Sequence, residues 1–277
     1  MVKREYKKKI FLDIDGTLID YAHNLPASAE EAISRARSNG HKLIISTGRS
    51  KPSIYPWLLE MGFDGLIAGE GAYVEYAGKV ILESTIPQEH ISRLYQYLND
   101  RKVGFYEESN SGTFANRYFL SESARVFGVS EPAASAYLRE AFASMTFDHE
   151  SFHLDDNKLS FAMTPLISKA ELEKEFGADF RIGVWNIFGK DPSFGDFAQK
   201  HLTKASAVAV LLEELNLDRE DTFAFGDSSN DLAILQYCQT GVAMGNAEDE
   251  VKAVADYVTS DVTEDGIFNA FRQFNLI

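Results

Sequence analysis

The sequence predicts an α/β fold in which a parallel-sheet core is interrupted by a separate α+β domain. Three observations predict it. Short apolar runs alternate with helical patterns from Lys9 to about Ala68, the rhythm of a parallel sheet with right-handed crossovers. From about 84 to 193 strand-like and helix-like runs no longer alternate strictly, which is an α+β pattern. From about 203 the alternation resumes, so one interrupted sheet accounts for the chain better than two domains in tandem.

Each element has its own signal. The basic start "MVKREYKKKI" is followed by no apolar signal core, so it is expected to be a solvated lead-in. Ile10, Phe11 and Leu12 make a buried strand over 9–13. "PASAEEAISRARSNG" predicts the first helix, with Ser28 and Glu31 as a capping box and Gly40 closing it. "HKLIIST" is the second strand, and a helix is expected from about Ser50, where Pro52 suits a first turn and Pro56 delays or kinks it. "DGLIAGEGA" is a third strand ending in a glycine-rich turn, and residues 71–83 read as a hairpin turning at Ala77-Gly78. In the insert, helices are expected over 88–102 and 168–176, and strands in "KLSFAMT" and "DFRIGVWNIF". The resumed core reads helix 203–215, strand 221–226, helix 229–237, strand 240–244, helix 248–255 and helix 264–274. The expected architecture is therefore a Rossmann-like parallel-sheet core (1–83 and 194–277) with an inserted α+β cap (84–193).

Composition excludes several classes. The 277 residues are 45% hydrophobic and 25% charged, ordinary for a globular chain of one large or two modest domains. No apolar run approaches the roughly 20 residues that cross a bilayer, so no membrane partner is expected. A net charge of -15 argues against a nucleic-acid partner. The single cysteine, Cys238, excludes an intrachain disulfide and a cysteine-only metal site, and a reducing cytoplasm is the expected location.

Chemistry gathers at strand ends, where open α/β sheets bind ligands. Asp13 and Asp15 follow the first strand; at that spacing both would share one side of a strand and repel unless a cation stands beside them. Thr47, Gly48 and Arg49 follow the second strand, and "AFGDSSND" places Gly226, Asp227, Asn230 and Asp231 at a later one. Lys204 opens a helix. Together they suit phosphoryl transfer. Asp13 and Asp227, with Asp231 as a further candidate, could hold Mg²⁺. Gly16 allows backbone N–H groups close to phosphate oxygens, which Thr47 and Lys204 also serve. Asp13 is the natural nucleophile and Asp15 the proton donor and acceptor.

"FLDIDGTL", "STGR", "LTKASAVAVLLEEL" and "FAFGDSSNDLAIL" resemble the four motifs of the haloacid dehalogenase superfamily of phosphatases. The tail "TGVAMGNAEDEVKAVADYVTSDVTEDGIFNAF" resembles its Cof-like branch, which carries an α/β cap between the second and third motifs. The resemblance implies a Mg²⁺-dependent phosphatase of small phosphorylated metabolites, often sugar phosphates, with a cap that closes over the substrate and chooses the leaving group. It makes Asp13 the nucleophile, Asp15 the acid/base, and Asp227 a metal ligand, with Asp15 and Asp231 on the metal side as well. Gly16, Thr47, Gly48, Lys204 and Asn230 would serve the phosphate, and Arg49 and Asn246 the substrate. One departure stands out: the third strand of this branch usually ends in Asn-Gly-Ala, whereas this chain has Glu70-Gly71-Ala72. Glu70 is expected to point to solvent.

The remaining signals are weaker. His149 and His153 lie near Asp155 and Asp156, and they are expected to be polar side chains on the surface of the cap rather than ligands of a second metal. Arg117 and Tyr118 are candidates for touching substrate from the cap, and Trp57 and Trp185 for packing. A phosphotransferase or phosphomutase shares all the core motifs, and a non-catalytic phosphometabolite-binding regulator is a further alternative.

Overall fold

The strand β1 (Lys9–Leu12) is buried at Ile10, Phe11 and Leu12, as a strand covered on both faces must be. It lies inside an eight-stranded sheet in the computed structural model, which describes residues 7–142, 145–149, 153–185 and 193–277. The basic lead-in as far as residue 6 falls outside the described residues, as do the last three residues of "DFRIGVWNIF".

Along the chain follow α1 (Ala27–Ser38), β2 (Lys42–Ser46), α2 (Pro56–Glu60), β3 (Gly65–Ala68), β4 (Tyr73–Tyr76) and β5 (Lys79–Glu83). The next stretch holds α3 (Gln88–Asp100), β6 (Phe105–Ser109), β7 (Thr113–Ala115), α4 (Phe119–Phe127), α5 (Glu131–Ala141) and β8 (Met145–Thr146). Then come β9 (Asp156–Ala162), α6 (Lys169–Phe176), β10 (Phe180–Trp185) and β11 (Phe194–Gln199). The chain ends with α7 (Lys204–Glu214), β12 (Thr222–Gly226), α8 (Leu232–Tyr237), β13 (Thr240–Ala243), α9 (Asp249–Val254), β14 (Tyr257–Val258) and α10 (Gly266–Gln273).

Two compact units result. The first comprises the chain through Gly48, Pro56–Glu83 and Thr203–Ile277; the second comprises Arg49–Tyr55 and Ser84–Leu202. The first is the Rossmann-like core. Its sheet runs β14-β13-β12-β1-β2-β3-β4-β5, parallel as far as β3 and antiparallel in the closing hairpin. Phe11, Ile44, Ile67 and Ala224 pack on one face with Ala207, Val208 and Leu211 of α7 and Val251 of α9. On the other side α1 and α10 pack together, and Phe271 of α10 meets Phe225 of β12 edge-on at 5.4 Å. Ala77 and Gly78 turn the β4–β5 hairpin with both φ positive, at 50° and 78°, the two-residue turn that matches strand twist.

The second unit is the α+β insert, a six-stranded sheet in the order β10-β11-β9-β6-β7-β8. Alternation sends Phe105, Leu159, Phe161 and Phe197 toward α3 and α6, and Tyr106, Ala162 and Phe194 toward Phe119 of α4 and Leu138 of α5.

Three expectations need correction. Strand β11 pairs with β9 and β10 of the second sheet, so the second unit ends at Leu202 rather than at 193. A short strand carries no mark of which sheet will receive it. The loop 49–55 also belongs to the second unit, and a 3₁₀ turn at Lys51–Ser53 stands where the helix was expected to begin; that helix starts at Pro56. Finally, α1 has no capping box: Pro26 occupies the N-cap, Glu31 pairs with Arg35 at 3.2 Å, and the buried Ser28 hydroxyl has no partner among the described residues. Gly40, at φ 88°, follows the helix as expected.

Gly71 couples the third strand to α7. Its φ is 105°, and a Cβ there would stand 2.4 Å from the backbone oxygen of Thr203. Gly78 is also left-handed, but a Cβ there meets nothing within 4 Å. Gly71→Ala should therefore cost about 1–3 kcal/mol and clearly more than Gly78→Ala, as read from urea unfolding. Equal losses would show that the approach to Thr203 is not limiting.

Candidate active site

The loop after β1 is shaped by backbone bonds. Asp13 N–H donates to Phe225 O at 3.1 Å, one step beyond the β1–β12 ladder. The carbonyl of Ile14 then accepts from the N–H groups of Thr17, Leu18 and Ile19, and Gly16 N–H donates to Ile19 O at 2.8 Å. Asp13 and Asp15 thus lie past the strand end, in a tight loop rather than on one strand face. Asp13 is buried and Asp15 half-buried. Gly16 has φ 85°, and a Cβ there would fall 2.2 Å from Asp227 Oδ2, so no larger residue fits. Asn246 braces the same loop: its Nδ2 donates to Gly16 O at 2.8 Å, and its Oδ1 accepts from Val262 N–H at 3.0 Å.

Lys204 is the first residue of α7, after an N-cap at Thr203 whose hydroxyl accepts from Ser206 N–H. Its side chain is 1% exposed, and Nζ donates to Asp13 Oδ1 at 2.7 Å, Asp231 Oδ1 at 2.6 Å and Asn230 Oδ1 at 3.1 Å. All three ammonium protons are thereby engaged. Asp231 Oδ2 caps its own turn, accepting from the N–H groups of Asp227 and Ser228 at 3.1 and 3.2 Å. Asp227 accepts from Thr17 Oγ1 at 3.0 Å and from the Tyr21 hydroxyl at 2.7 Å.

Asp13, Asp227 and Asp231 each offer an oxygen within 4.8 Å of the others, and Lys204 is the ammonium bonded to two of them. Burial pushes the Asp13 carboxyl well up, against the pull of Lys204 and with Asp231 and Asp227 adding to the rise. Burial and Asp231 push Asp227 up to about 6. Burial acts the other way on Lys204, but the facing carboxylates outweigh it and hold the ammonium protonated. Desolvation of its hydroxyl and the neighbouring Asp227 hold Tyr21 protonated, as a donor must be. Hard oxygen donors with excess negative charge fit a small divalent cation such as Mg²⁺. Asp15 is not a member of that trio.

The second-strand motif divides. Thr47 is buried, and its N–H donates to Ile67 O at 2.9 Å. Gly48 lies beside Asn230, whose Nδ2 would be 3.2 Å from a Cβ on Gly48. Arg49 is committed within the second unit: it donates to Ser53 O at 3.1 Å and to the Tyr55 hydroxyl at 3.0 Å, and its guanidinium lies over the rings of Tyr55 and Phe142. Glu70 does not face solvent. It is buried, with φ 55° and ψ 30°, and its Cγ would be 3.5 Å from a Cβ on Gly48. The left-handed backbone turns its side chain inward.

In the second unit, Arg117 is exposed with its guanidinium 6.0 Å from the Tyr118 ring, and Tyr118 caps α4. Two buried polar groups there escaped the sequence reading. Glu108, Lys158 and Asp196 form an ion-paired row across β6, β9 and β11, with Ser160 Oγ donating to Glu108 at 2.7 Å. Glu107 Oε2 shares a hydrogen bond with His153 Nδ1 at 3.0 Å, and burial, with Asp156 nearby, pushes the Glu107 carboxyl up to about 9. One donor atom each of Glu107, His149 and His153 lies within 4.8 Å of the others. The adjacent glutamates inside the apolar "GFYEES" were the available signal.

The comparisons agree with this geometry. The family described as haloacid dehalogenase-like hydrolase matches residues 10–271. The chain belongs to that family, among the phosphatases of its Cof-like branch. It is 31% identical to YkrA of Bacillus subtilis over 275 residues, 98% of each chain. It is 30% identical to the pyridoxal phosphate phosphatase YbhA of Escherichia coli, over 93% of this chain and 95% of that one. Among solved structures it superposes on a sugar phosphatase of haloacid dehalogenase subclass IIB with a TM-score of 0.75 and 30% identity, over 98% of this chain and all of the other.

Lys204→Met would strand buried carboxylates without their cation, which costs about 3–5 kcal/mol. Lys42 pairs with Asp64 at 2.6 Å but is about half exposed, so Lys42→Met should cost less than about 1 kcal/mol. Thermal unfolding of the two variants checks the contrast, and comparable losses would contradict it.

Proposed function

We propose that the protein is a Mg²⁺-dependent phosphomonoesterase of small phosphorylated metabolites, sugar phosphates first, working through an aspartyl-phosphate on Asp13. The observation that carries this reading is the meeting of Asp13, Asp227, Asp231 and Lys204 from three separate segments in one buried cluster at the carboxyl ends of adjacent parallel strands. The match to phosphatases over nearly the whole chain supports it.

The roles follow from position. Asp13 attacks phosphorus, so the ester is cleaved in two easier steps instead of one. Asp15, half-buried on the same loop, gives a proton to the leaving oxygen and later takes one from the attacking water. The Asp loop brings Gly16 to the site, and Thr47 and Lys204 complete the phosphate contacts; Lys204 exchanges its longest bond, to the neutral Asn230, for a phosphate oxygen. Asp13, Asp227 and Asp231 would hold Mg²⁺, which when bound neutralises charge on the phosphoryl oxygens.

Phosphate release from a panel of sugar phosphates and other small esters should require Mg²⁺ and stop with EDTA. Asp13→Asn should abolish it with the fold unchanged by circular dichroism; turnover retained in that variant would sink the nucleophile assignment. Asp15→Asn should slow alkyl phosphates far more than aryl phosphates, because only poor leaving groups need the proton. Equal slowing would remove Asp15 from that role.

A further inference from the structure

Away from the core cluster, the second unit gathers a different donor set. Glu107 on β6 is 1% exposed, and its Oε2 stands 3.0 Å from His153 Nδ1. The rings of His149 and His153 stack at 4.6 Å, and the Phe114 ring packs against both, 3.7 Å from His153 and 5.0 Å from His149. One donor atom from each of Glu107, His149 and His153 lies within 4.8 Å of the other two. We propose that these three residues form a Zn²⁺ site built from two imidazole nitrogens and one carboxylate oxygen, with the fourth position open to water.

The chemistry of the set favours this ion. Two imidazoles and a carboxylate suit a borderline ion such as Zn²⁺, whereas the all-oxygen trio of the core suits Mg²⁺. Tetrahedral Zn²⁺ with bonds of about 2.0–2.2 Å places its ligands roughly 3.3 Å apart. The Glu107–His153 pair stands close to that spacing at 3.0 Å, and a His149 donor atom lies within 4.8 Å of both partners. A hydrogen bond and a ring stack alone would explain His153 but not His149, whose Nε2 is buried without a partner among the described residues. Shielded nitrogens of that kind are nearly always bonded. A supporting contact is also in place: Asp156, fully buried, accepts from His153 N–H at 3.1 Å and holds the backbone at that ligand. The proposal is independent of the phosphatase reading.

The full-length chain, stripped with EDTA and equilibrated with Zn²⁺ under excess Mg²⁺, should retain one zinc per chain after desalting, as measured by plasma mass spectrometry. Asp227→Asn, which weakens the oxygen trio, should keep that zinc. His149→Ala and His153→Ala should lose it, and Glu107→Gln should bind more than about tenfold more weakly. Should a histidine variant fail to fold, Co²⁺ added to the wild-type chain gives a second readout: nitrogen-ligated tetrahedral Co²⁺ absorbs strongly in the visible, and an all-oxygen site does not. A wild-type chain that retains no zinc, histidine variants that retain it fully, or a Co²⁺ spectrum of oxygen ligation alone would overturn the proposal.

Discussion

Lys204 carries its charge to a place that water does not reach, and three parts of the chain are arranged around that charge. At low dielectric an ammonium and a carboxylate attract strongly, yet each loses its hydration on the way in. The loss is tolerable only if every donor and acceptor finds a partner. Here Lys204 engages Asp13, Asp231 and Asn230, Asp231 also caps its own turn, and Asp227 is held by Thr17 and Tyr21. A buried ion pair adds little stability over an apolar pair of the same shape. What it does here is bring three carboxyl groups together around one ammonium.

Backbone geometry sets how closely these groups approach. Gly16 brings the loop after β1 against Asp227, and Gly71 brings the turn after β3 against the start of α7. Both need a missing side chain and a positive φ. Asn246 contributes from the far end of the sequence by bonding Gly16 O and Val262 N–H, so its amide shapes the loop. Glu70 adds a further carboxyl beside Gly48, inside the protein.

The second unit is organised by two faces of one sheet. Helices α3 and α6 cover one face and α4 and α5 the other, so the charged residues on β6, β9 and β11 have no broad exposed face to occupy. They are buried instead: Glu108 pairs with Lys158 and Lys158 with Asp196 on one face, while Glu107, on the other, pairs with His153 from the loop before β9. The preference of buried polar groups for saturated partners explains why these contacts form a row rather than isolated charges.

Much was legible from local pattern. Continuous apolar runs mark β1, β2, β3, β12 and β13, because a strand covered on both faces is apolar throughout, and a helical period marks most of the helices around them, because each buries one face. The motif residues Asp13, Asp227, Asp231 and Lys204 were legible too, since strand ends and helix starts have local signatures. What tertiary structure alone decided are relations between distant segments. Strand β11 lies in a stretch assigned to the core but joins the second sheet; Ser28 and Glu31 spell a capping box that Pro26 displaces; Glu70 is buried on a left-handed backbone; and Glu107 lies near two histidines more than forty positions away. The reason is physical: periodicity records that a residue is buried, while its partner is chosen by packing and hydrogen bonding across space, which no short window of sequence contains.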